Sequence, residues 1–444
     1  MTFDLAWKQS IRKRLAPPLT EPVAINLDII GYSRLEGRVD GLQMQYQTVG
    51  SSHFLFVTHP WSGGISVLDV TDPADSTIVA FIPVPNEHTW HIKVQVAEGV
   101  LMTACEGAFF TPGYDPSQAE YGVRFYDVSD PTAPRWLSTW TGAELASFGV
   151  HRSWWNGGRY AYLSNMVPYE GGGYHWRAGR TRVMTILDVS DPESPKHVSD
   201  FWHPVQTGDG PPPLEGETFG VHQPIVSGDR AYVAYSDGGF AIVDVADRTA
   251  PQLVSHVRTF PDLTDGQTHT CLPIPERDLL VVTEEPMATH GMEGPKNVRL
   301  WDISDETSPV ALSVCPIPTP TDREPYETYL HKGERFGPHC LHENHANTLY
   351  STDRIYGTYM NAGLRIWDIS DPSAPQEAAS FVPPAPTEWK DPRPPVRFFD
   401  IVHGGVRGYC SQDVLVDPRG FIYVTGYNDG LWIVKEDQPP AGQQ

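Results

Sequence analysis

The chain has 444 residues, with 55 acidic against 32 basic side chains and a formal net charge of −23. That balance lacks the basic footprint which nucleic acid or an anionic membrane surface requires, so neither is expected as a partner. No apolar run of about 18 residues exists to span a bilayer. The 42 Pro and 39 Gly residues call for many turns, and 13 Trp and 19 Tyr suit strands.

Taken in chain order, residues 1–22 read as an extension whose basic stretch, KQSIRKR, has no apolar segment behind it, so no secretory signal is read. The five cysteines are odd in number and form no CxxC pair, which fits free thiols and a cytoplasmic protein. Residues 24–34, AINLDIIGYSR, read as a strand. One phrase then recurs, as VLDVTDP (67–73), FYDVSDP (125–131), ILDVSDP (186–192), IVDVADR (242–248), LWDISDE (300–306) and IWDISDP (366–372). Its first Asp falls at Asp69, Asp127, Asp188, Asp244, Asp302 and Asp368, and GLWIVKED (430–437) is a weaker seventh copy. The alternating apolar half is a strand. The S/T-D-P half is a turn, because Asp bonds its own backbone and Pro sets φ. Each interval holds three further β-like runs. Four strands in each of seven units predict an all-β chain: one seven-bladed β-propeller of four-stranded antiparallel blades over 1–444, with a tail at 438–444. The last unit lacks an outer strand, and residues 24–34 are expected to supply it and close the ring. The D-[VI]-[ST]-D-P-x-x-P phrase resembles the LVIVD repeat of bacterial proteins assigned to seven-bladed propellers. The resemblance runs from about 60 to 435 and implies the fold without an activity.

One polar residue opens the first strand of each unit: Gln45, His91, His151, His222, His269, His339 and Gln412. Inner strands of a propeller converge on the axis, so these side chains are expected to ring the channel, and neutral imidazole is a common metal ligand. His151, His222, His269 and His339 are the expected ligands of a divalent transition metal. Iron comes first, with manganese, zinc or copper as alternatives. Gln45 and Gln412 are additional ring members. His91 is a catalytic candidate as a proton shuttle. A second set ends the second strands: Glu106, Asn165, Asp237, Glu285 and Asp353. Glu106 and Glu285 are the favoured members, as catalytic carboxylates or as acceptors that orient the histidines.

The long connections, 107–121, 166–181, 286–297, 204–219, 316–337 and 382–409, gather on the face that holds the ring, as a funnel for substrate. Their aromatic residues and those beside His151 make Trp154, Trp155, Tyr174, Trp176, Tyr326, Phe398 and His403 the candidate contacts for an apolar or aromatic small molecule. Lys93 is a candidate base. Strand alternation points Arg152 away from the channel, puts Cys271 and Cys410 on the channel side, and leaves His342 and His345 on loops or in solvent. The first functional reading is a non-haem oxidoreductase or oxygenase. Alternatives are a redox-neutral metal-dependent lyase, isomerase or hydrolase, and a non-catalytic scaffold.

Overall fold

A computed structural model describes residues 16–174, 177–214, 217–264, 266–288, 293–294, 296–391 and 409–437. Among these the chain forms seven blades of antiparallel strands in sequence order around one axis. The first blade is β3 (Met44–Val49), β4 (Ser52–His59), β5 (Gly64–Asp69) and β6 (Thr77–Pro83). The second is β7 (Thr89–Ala97), β8 (Val100–Gly107), β9 (Gly122–Asp127) and β10 (Arg135–Trp140). The third is β11 (Val150–Trp154), β12 (Tyr160–Tyr174), β13 (Arg177–Asp188) and β14 (Lys196–Phe201). The fourth is β15 (Phe219–Ser227), β16 (Arg230–Ser236), β17 (Phe240–Asp244) and β18 (Gln252–Val257). The fifth is β19 (Thr268–Ile274), β20 (Leu279–Glu284), β21 (Val298–Asp302) and β22 (Val310–Val314). The sixth has β23 (Arg354–Thr358), β24 (Leu364–Asp368) and β25 (Gln376–Val382), and the seventh has β26 (Ser411–Val416), β27 (Phe421–Gly426) and β28 (Leu431–Glu436).

The recurring phrase works through two successive Asx turns. In each of the six full copies the first Asp accepts the N–H two residues on, as Asp127 does from Ser129 at 3.0 Å and Asp368 from Ser370 at 2.8 Å. The second Asp repeats the bond, Asp130 to Thr132 and Asp371 to Ser373. Each turn needs only its own side chain, so the third-to-fourth-strand connection is settled locally.

Residues 24–34 are divided between two blades. Asn26 adopts φ 57°, and its side chain donates to the Ala378 carbonyl at 2.7 Å. Before this bend β1 (Val23–Ile25) pairs with β25 at the rim of the sixth blade. After it β2 (Leu27–Ser33) pairs with β28 and supplies the outer strand of the seventh. The seventh blade meets the first where Met44 N donates to Asp413 Oδ2 at 2.7 Å and Thr425 Oγ1 to the Leu42 carbonyl at 2.9 Å. The stretch before β1 packs on the sixth blade through Leu19, whose carbonyl accepts from Ala385 N.

Two features depart from the expected pattern. Residues 166–174 and 177–181, expected in a loop, instead belong to β12 and β13 and pair with each other. The sixth blade has no regular inner strand. Its inner segment bonds β23 only through His339, Cys340 and His342, and then leaves the blade. It passes to the third blade, where Ala346 N donates to Asn156 Oδ1 at 2.8 Å, and to the second, where Asn347 donates to the Val96 carbonyl at 3.2 Å. It returns beside the seventh, where Leu349 N meets the Val416 carbonyl. Residues 343–349 thus lie across the end of the channel opposite the starts of the inner strands. His342 and His345, expected on loops or in solvent, are 3% exposed each. They are part of this crossing segment: His342 donates to the Leu349 carbonyl, and His345 stacks on Trp154 at 4.4 Å.

Candidate metal centre

The inner strands are not uniformly alternating. Their pairing with the second strands shifts at His91/Lys93, Val150/Ser153, Phe219/Gln223, Thr268/Thr270 and Ser411/Asp413. The shifts are bulges or, as between Phe219 and Gln223, larger irregularities of the ladder, and a bulge brings two successive side chains to one side of a strand. Blades one and six reach the same arrangement by another bond pattern. Leu42 N and His339 N donate to the carbonyls of Thr58 and Thr358, while Gln43 N and Cys340 N donate to the hydroxyls of those threonines.

Aligned on the bulges, the layer at the mouth is Leu42, Ile92, His151, His222, His269, His339 and Gln412. The layer beneath is Gln43, Lys93, Arg152, Gln223, Thr270, Cys340 and Asp413. This register corrects two expected ring members. Ile92 stands where His91 was expected, and Leu42 where Gln45 was expected. His91 is buried in the second blade, with Cys105 opposite and the Tyr126 ring at 6.4 Å. Both of its ring nitrogens lack a hydrogen-bond partner. Burial and Arg124 push its pKa down to about 3. Gln45 is buried on β3 with its Oε1 unbonded. Gln412 keeps its place in the layer, and its backbone carbonyl accepts from His339.

The four remaining histidines occupy successive blades in an arc. Ring centroids are 4.9 Å apart for His151–His222, 4.1 Å for His222–His269 and 4.5 Å for His269–His339. Every Nδ1 in the arc faces an acceptor. His151 Nδ1 meets Glu106 Oε2 at 3.0 Å, and His222 Nδ1 meets the His269 carbonyl at 2.9 Å. His339 Nδ1 meets the Gln412 carbonyl at 2.6 Å. His269 Nδ1 meets Thr270 Oγ1 at 2.8 Å, whose own proton goes to Gln223 Oε1. These partners assign the proton to Nδ1 in all four rings and leave each Nε2 with a lone pair. Two of these lone pairs face each other, His151 Nε2 and His222 Nε2 lying 3.2 Å apart. Without a cation between them that contact is repulsive. Two ligands on a tetrahedral ion with bonds near 2.0 Å stand ~3.3 Å apart, so the separation fits a shared ion.

A shared proton is the alternative, and the surroundings oppose it. Burial, then Arg182, lowers His151 to about 3, and burial, against the opposing pull of Glu285, lowers His339 to about 3. Burial and neighbouring positive groups put His222 and His269 well below the usual imidazole value. The arc is therefore a set of neutral imidazoles, the form that binds metal.

The two favoured carboxylates sit differently. Glu106 is 1% exposed and bridges His151 to Arg182, its Oε1 lying 3.1 Å from the guanidinium. Glu285 lies on the lone-pair side, 4.0 Å from His269 Nε2 and 3.8 Å from His339 Nε2, and is gripped by Arg335 at 2.7 Å. Burial opposes its charge, but Arg335 and His339 outweigh burial and hold it below the usual carboxylate value. Among the described residues, His222, His269 and Glu285 offer ligand atoms within 4.8 Å of one another, as do His269, His339 and Cys340, whereas no three of the four imidazoles come that close together. Asn165 and Asp237 serve local structure instead: Asn165 bonds Ser147 and Thr185, and Asp237 bonds Thr218 and Gln267. Asp353 lies just ahead of β23, where its carbonyl accepts from Ile369 N beside the sixth blade's DP turn. Replacing Glu106 by Gln weakens the proton acceptor of His151 and unbalances Arg182. A drop in metal affinity of about 10- to 100-fold is expected, readable by titration with a competing chelator.

The aromatic candidates do not gather at the arc. Trp154 and Trp155 are 5% and 3% exposed and lie in interblade cores. The Tyr326 hydroxyl accepts from Leu19 N at 2.9 Å, so it fastens the amino-terminal stretch to the sixth blade. The backbone of Tyr174 ends β12, while Trp176, Phe398 and His403 lie outside the described residues. Another cluster takes the expected place at the mouth. Trp61, Trp90, Phe109, Phe110 and Tyr427 come from blades one, two and seven and pack over Leu42 and Ile92. Trp61–Trp90 centroids are 5.4 Å apart, Trp90–Phe109 5.0 Å and Trp61–Tyr427 5.9 Å. The mouth is thus imidazole on one side and aromatic on the other. Asp40 holds the Trp61 loop by accepting from Trp61 N at 2.7 Å and Ser62 N at 2.9 Å. Asp40, His59 and Ser66 resemble a hydrolytic triad, but all three are 0% exposed, so this group is structural. Cys271 lies in an interblade core, and the Cys410 thiol is buried beside Gln412 Nε2 at 3.2 Å.

The comparisons address the fold. The family model of the LVIVD repeat matches residues 223–259 and 355–382. No curated protein matches the chain by sequence. The crystal structure of RRP9 WD40 repeats is similar at 9% identity, with a TM-score of 0.52 over 95% of this chain and 99% of that one. The structure of U3-55K is similar at 10% identity and a TM-score of 0.51, over 94% and 100% of the two chains. At such identities the likeness concerns architecture alone. With its repeated turn phrase, its blades and this match together, the chain carries LVIVD repeats at 223–259 and 355–382 and folds as a seven-bladed β-propeller.

Proposed function

We propose that the protein is a metal-dependent enzyme in which Nε2 of His151, His222, His269 and His339 hold a divalent first-row transition metal, iron foremost, at the mouth of the channel. The carrying observation is the common tautomer: four Nδ1 protons are engaged by acceptors, and the free lone pairs form an arc. An all-imidazole set suits iron, copper, zinc or manganese better than calcium or magnesium. The aromatic side of the mouth suits an apolar or aromatic small molecule. A redox-active ion so held supplies activation of dioxygen, which makes an oxidoreductase the first reading. The protein's own groups hold the ion, exclude water through the segment at 343–349, and lay the substrate along the aromatic wall.

A second reading, redox-neutral lyase or isomerase chemistry, is favoured by one feature. The Glu285 carboxylate stands beside the lone pairs of His269 and His339 and is kept ionised, as a general base must be. The test is metal analysis of protein purified without chelator, with optical spectra under air and under nitrogen. Stoichiometric iron with an oxygen-dependent spectrum supports the first reading. Stoichiometric zinc or manganese with no oxygen response supports the second. Absence of any metal after reconstitution with each ion overturns both.

A further inference from the structure

The layer beneath the histidine arc carries Lys93, Arg152 and Asp413, and three ion pairs lie in it or beside the arc. Arg152 Nη2 meets Glu343 Oε1 at 2.8 Å, Arg182 meets Glu106 at 3.1 Å, and Arg335 meets Glu285 at 2.7 Å. Lys93 is 3% exposed, yet among the described residues its ammonium makes no hydrogen bond and has no carboxylate oxygen within 4.0 Å. The bulge at His91/Lys93 aims it into the channel. There Arg152, Cys340, Asp413 and Glu285 are its electrostatic neighbours, and its own field reaches all four histidines of the arc.

A buried cation without a counter-ion is costly unless an anion completes it. The remaining acid, Asp413, does not serve. Its Oδ2 accepts from Met44 N, and burial together with Glu343 pushes its carboxyl up to about 7. A divalent ion in the arc adds further positive charge to the same space, although the chain as a whole carries −23.

We infer that Lys93 docks an anionic head group, a carboxylate or similar oxyanion, of the substrate. This rests on the metal-enzyme reading above. Ile92 precedes Lys93 and packs with Trp90 under the aromatic cluster, so the anion site adjoins the apolar wall. The substrate is then amphiphilic: an acidic head at Lys93 and the arc, and an aromatic or apolar body against Trp61, Trp90 and Tyr427.

The test compares benzoate with its neutral isostere benzamide on metal-loaded protein by calorimetric titration, for the natural chain, Lys93→Met and Lys93→Gln. Metal content and far-UV circular dichroism are measured on each. A charge-assisted bond predicts a benzoate preference of about tenfold or more in the natural chain, lost in both variants with metal content unchanged. A preference that survives in the variants places the anion on the metal and overturns the role of Lys93. So does the absence of any preference in a natural chain that holds its metal. A natural chain that takes up no metal defeats the enzyme reading. On that apo protein, a Lys93-dependent benzoate preference would still uphold the anion site, and its absence would overturn it. Lys93→Gln keeps a polar end in the layer, so the comparison stands even where Lys93→Met fails to fold.

Discussion

Replacing His222 and His269 together by alanine is expected to abolish specific metal binding while leaving the propeller intact. These two rings are central in the arc, each flanked by a neighbouring imidazole on either side. Their removal leaves His151 and His339, which sit on the two ends. Altering an outer-shell partner alone typically costs 10- to 100-fold in affinity, so removing two ligands should cost more than about 100-fold. Each gives the fold one Nδ1 bond, His222 to the His269 carbonyl and His269 to Thr270, a small part of the bonding of their blades. Their Nε2 atoms carry no protein bond except the His151–His222 contact, which is unfavourable in the absence of a cation. Thermal unfolding with and without metal checks both halves. A ligand at 100 times its Kd stabilises the native state by about 2.7 kcal/mol. The natural chain should show the corresponding rise in Tm on adding metal. The double variant should show none, with a cooperative apo transition at a somewhat lower Tm than that of the natural apo protein. A metal-induced rise that persists in the variant would move the site elsewhere.

The second large effect is on stability. Arg152→Ala removes the guanidinium that pairs with Glu343, whose Oε1 also accepts from Gln223 and whose Oε2 lies 3.1 Å from His345 Nε2. Breaking a buried pair by taking one partner away costs about 3–5 kcal/mol, because the other charge is stranded. Urea unfolding at pH 7 should show that loss, and Arg152→Met with Glu343→Gln should recover most of it. The acid range provides a second readout. Burial pushes the Glu343 carboxyl upward, but Arg152 and His345 outweigh it and bring it to about 2, below its ordinary 4.5. A depressed carboxylate stabilises fully above its unfolded value and loses that contribution as the pH falls toward the folded one. Stability that depends on Glu343 should therefore fade between about pH 4.5 and 2. The slope should flatten in the double variant. An Arg152→Ala protein as stable as the natural chain would show that Glu343 needs no partner there.

The same residues show how far a linear reading reaches. Strand alternation points Arg152 away from the axis, and that rule fails because the shift between Val150 and Ser153 brings His151 and Arg152 to the same side. The identical cause misplaces His91, which the bulge at Lys93 leaves behind in the blade. Bulges carry no distinctive residue type, so nothing in the letters HTWHIKV marks one. The aromatic wall was legible only as composition. Trp61, Trp90 and Tyr427 lie far apart in the chain and meet because blades one, two and seven adjoin once the ring is closed. The segment HENHANT looks like a loop, and its burial follows from what lies across the channel: Asn156, Val96 and Arg152.

The sequence by itself determined the number of units, their DP turns, most of their strands, and the four histidines of the arc. The reason is that Asx turns and alternating strands are decided by residues within a few positions of one another. Only the tertiary structure decided which inner-strand side chains reach the axis, which tautomer each imidazole adopts and where an unpaired charge is left. Those depend on hydrogen bonds between blades, such as His339 to Gln412 and His151 to Glu106, whose partners come together only when the circle is complete.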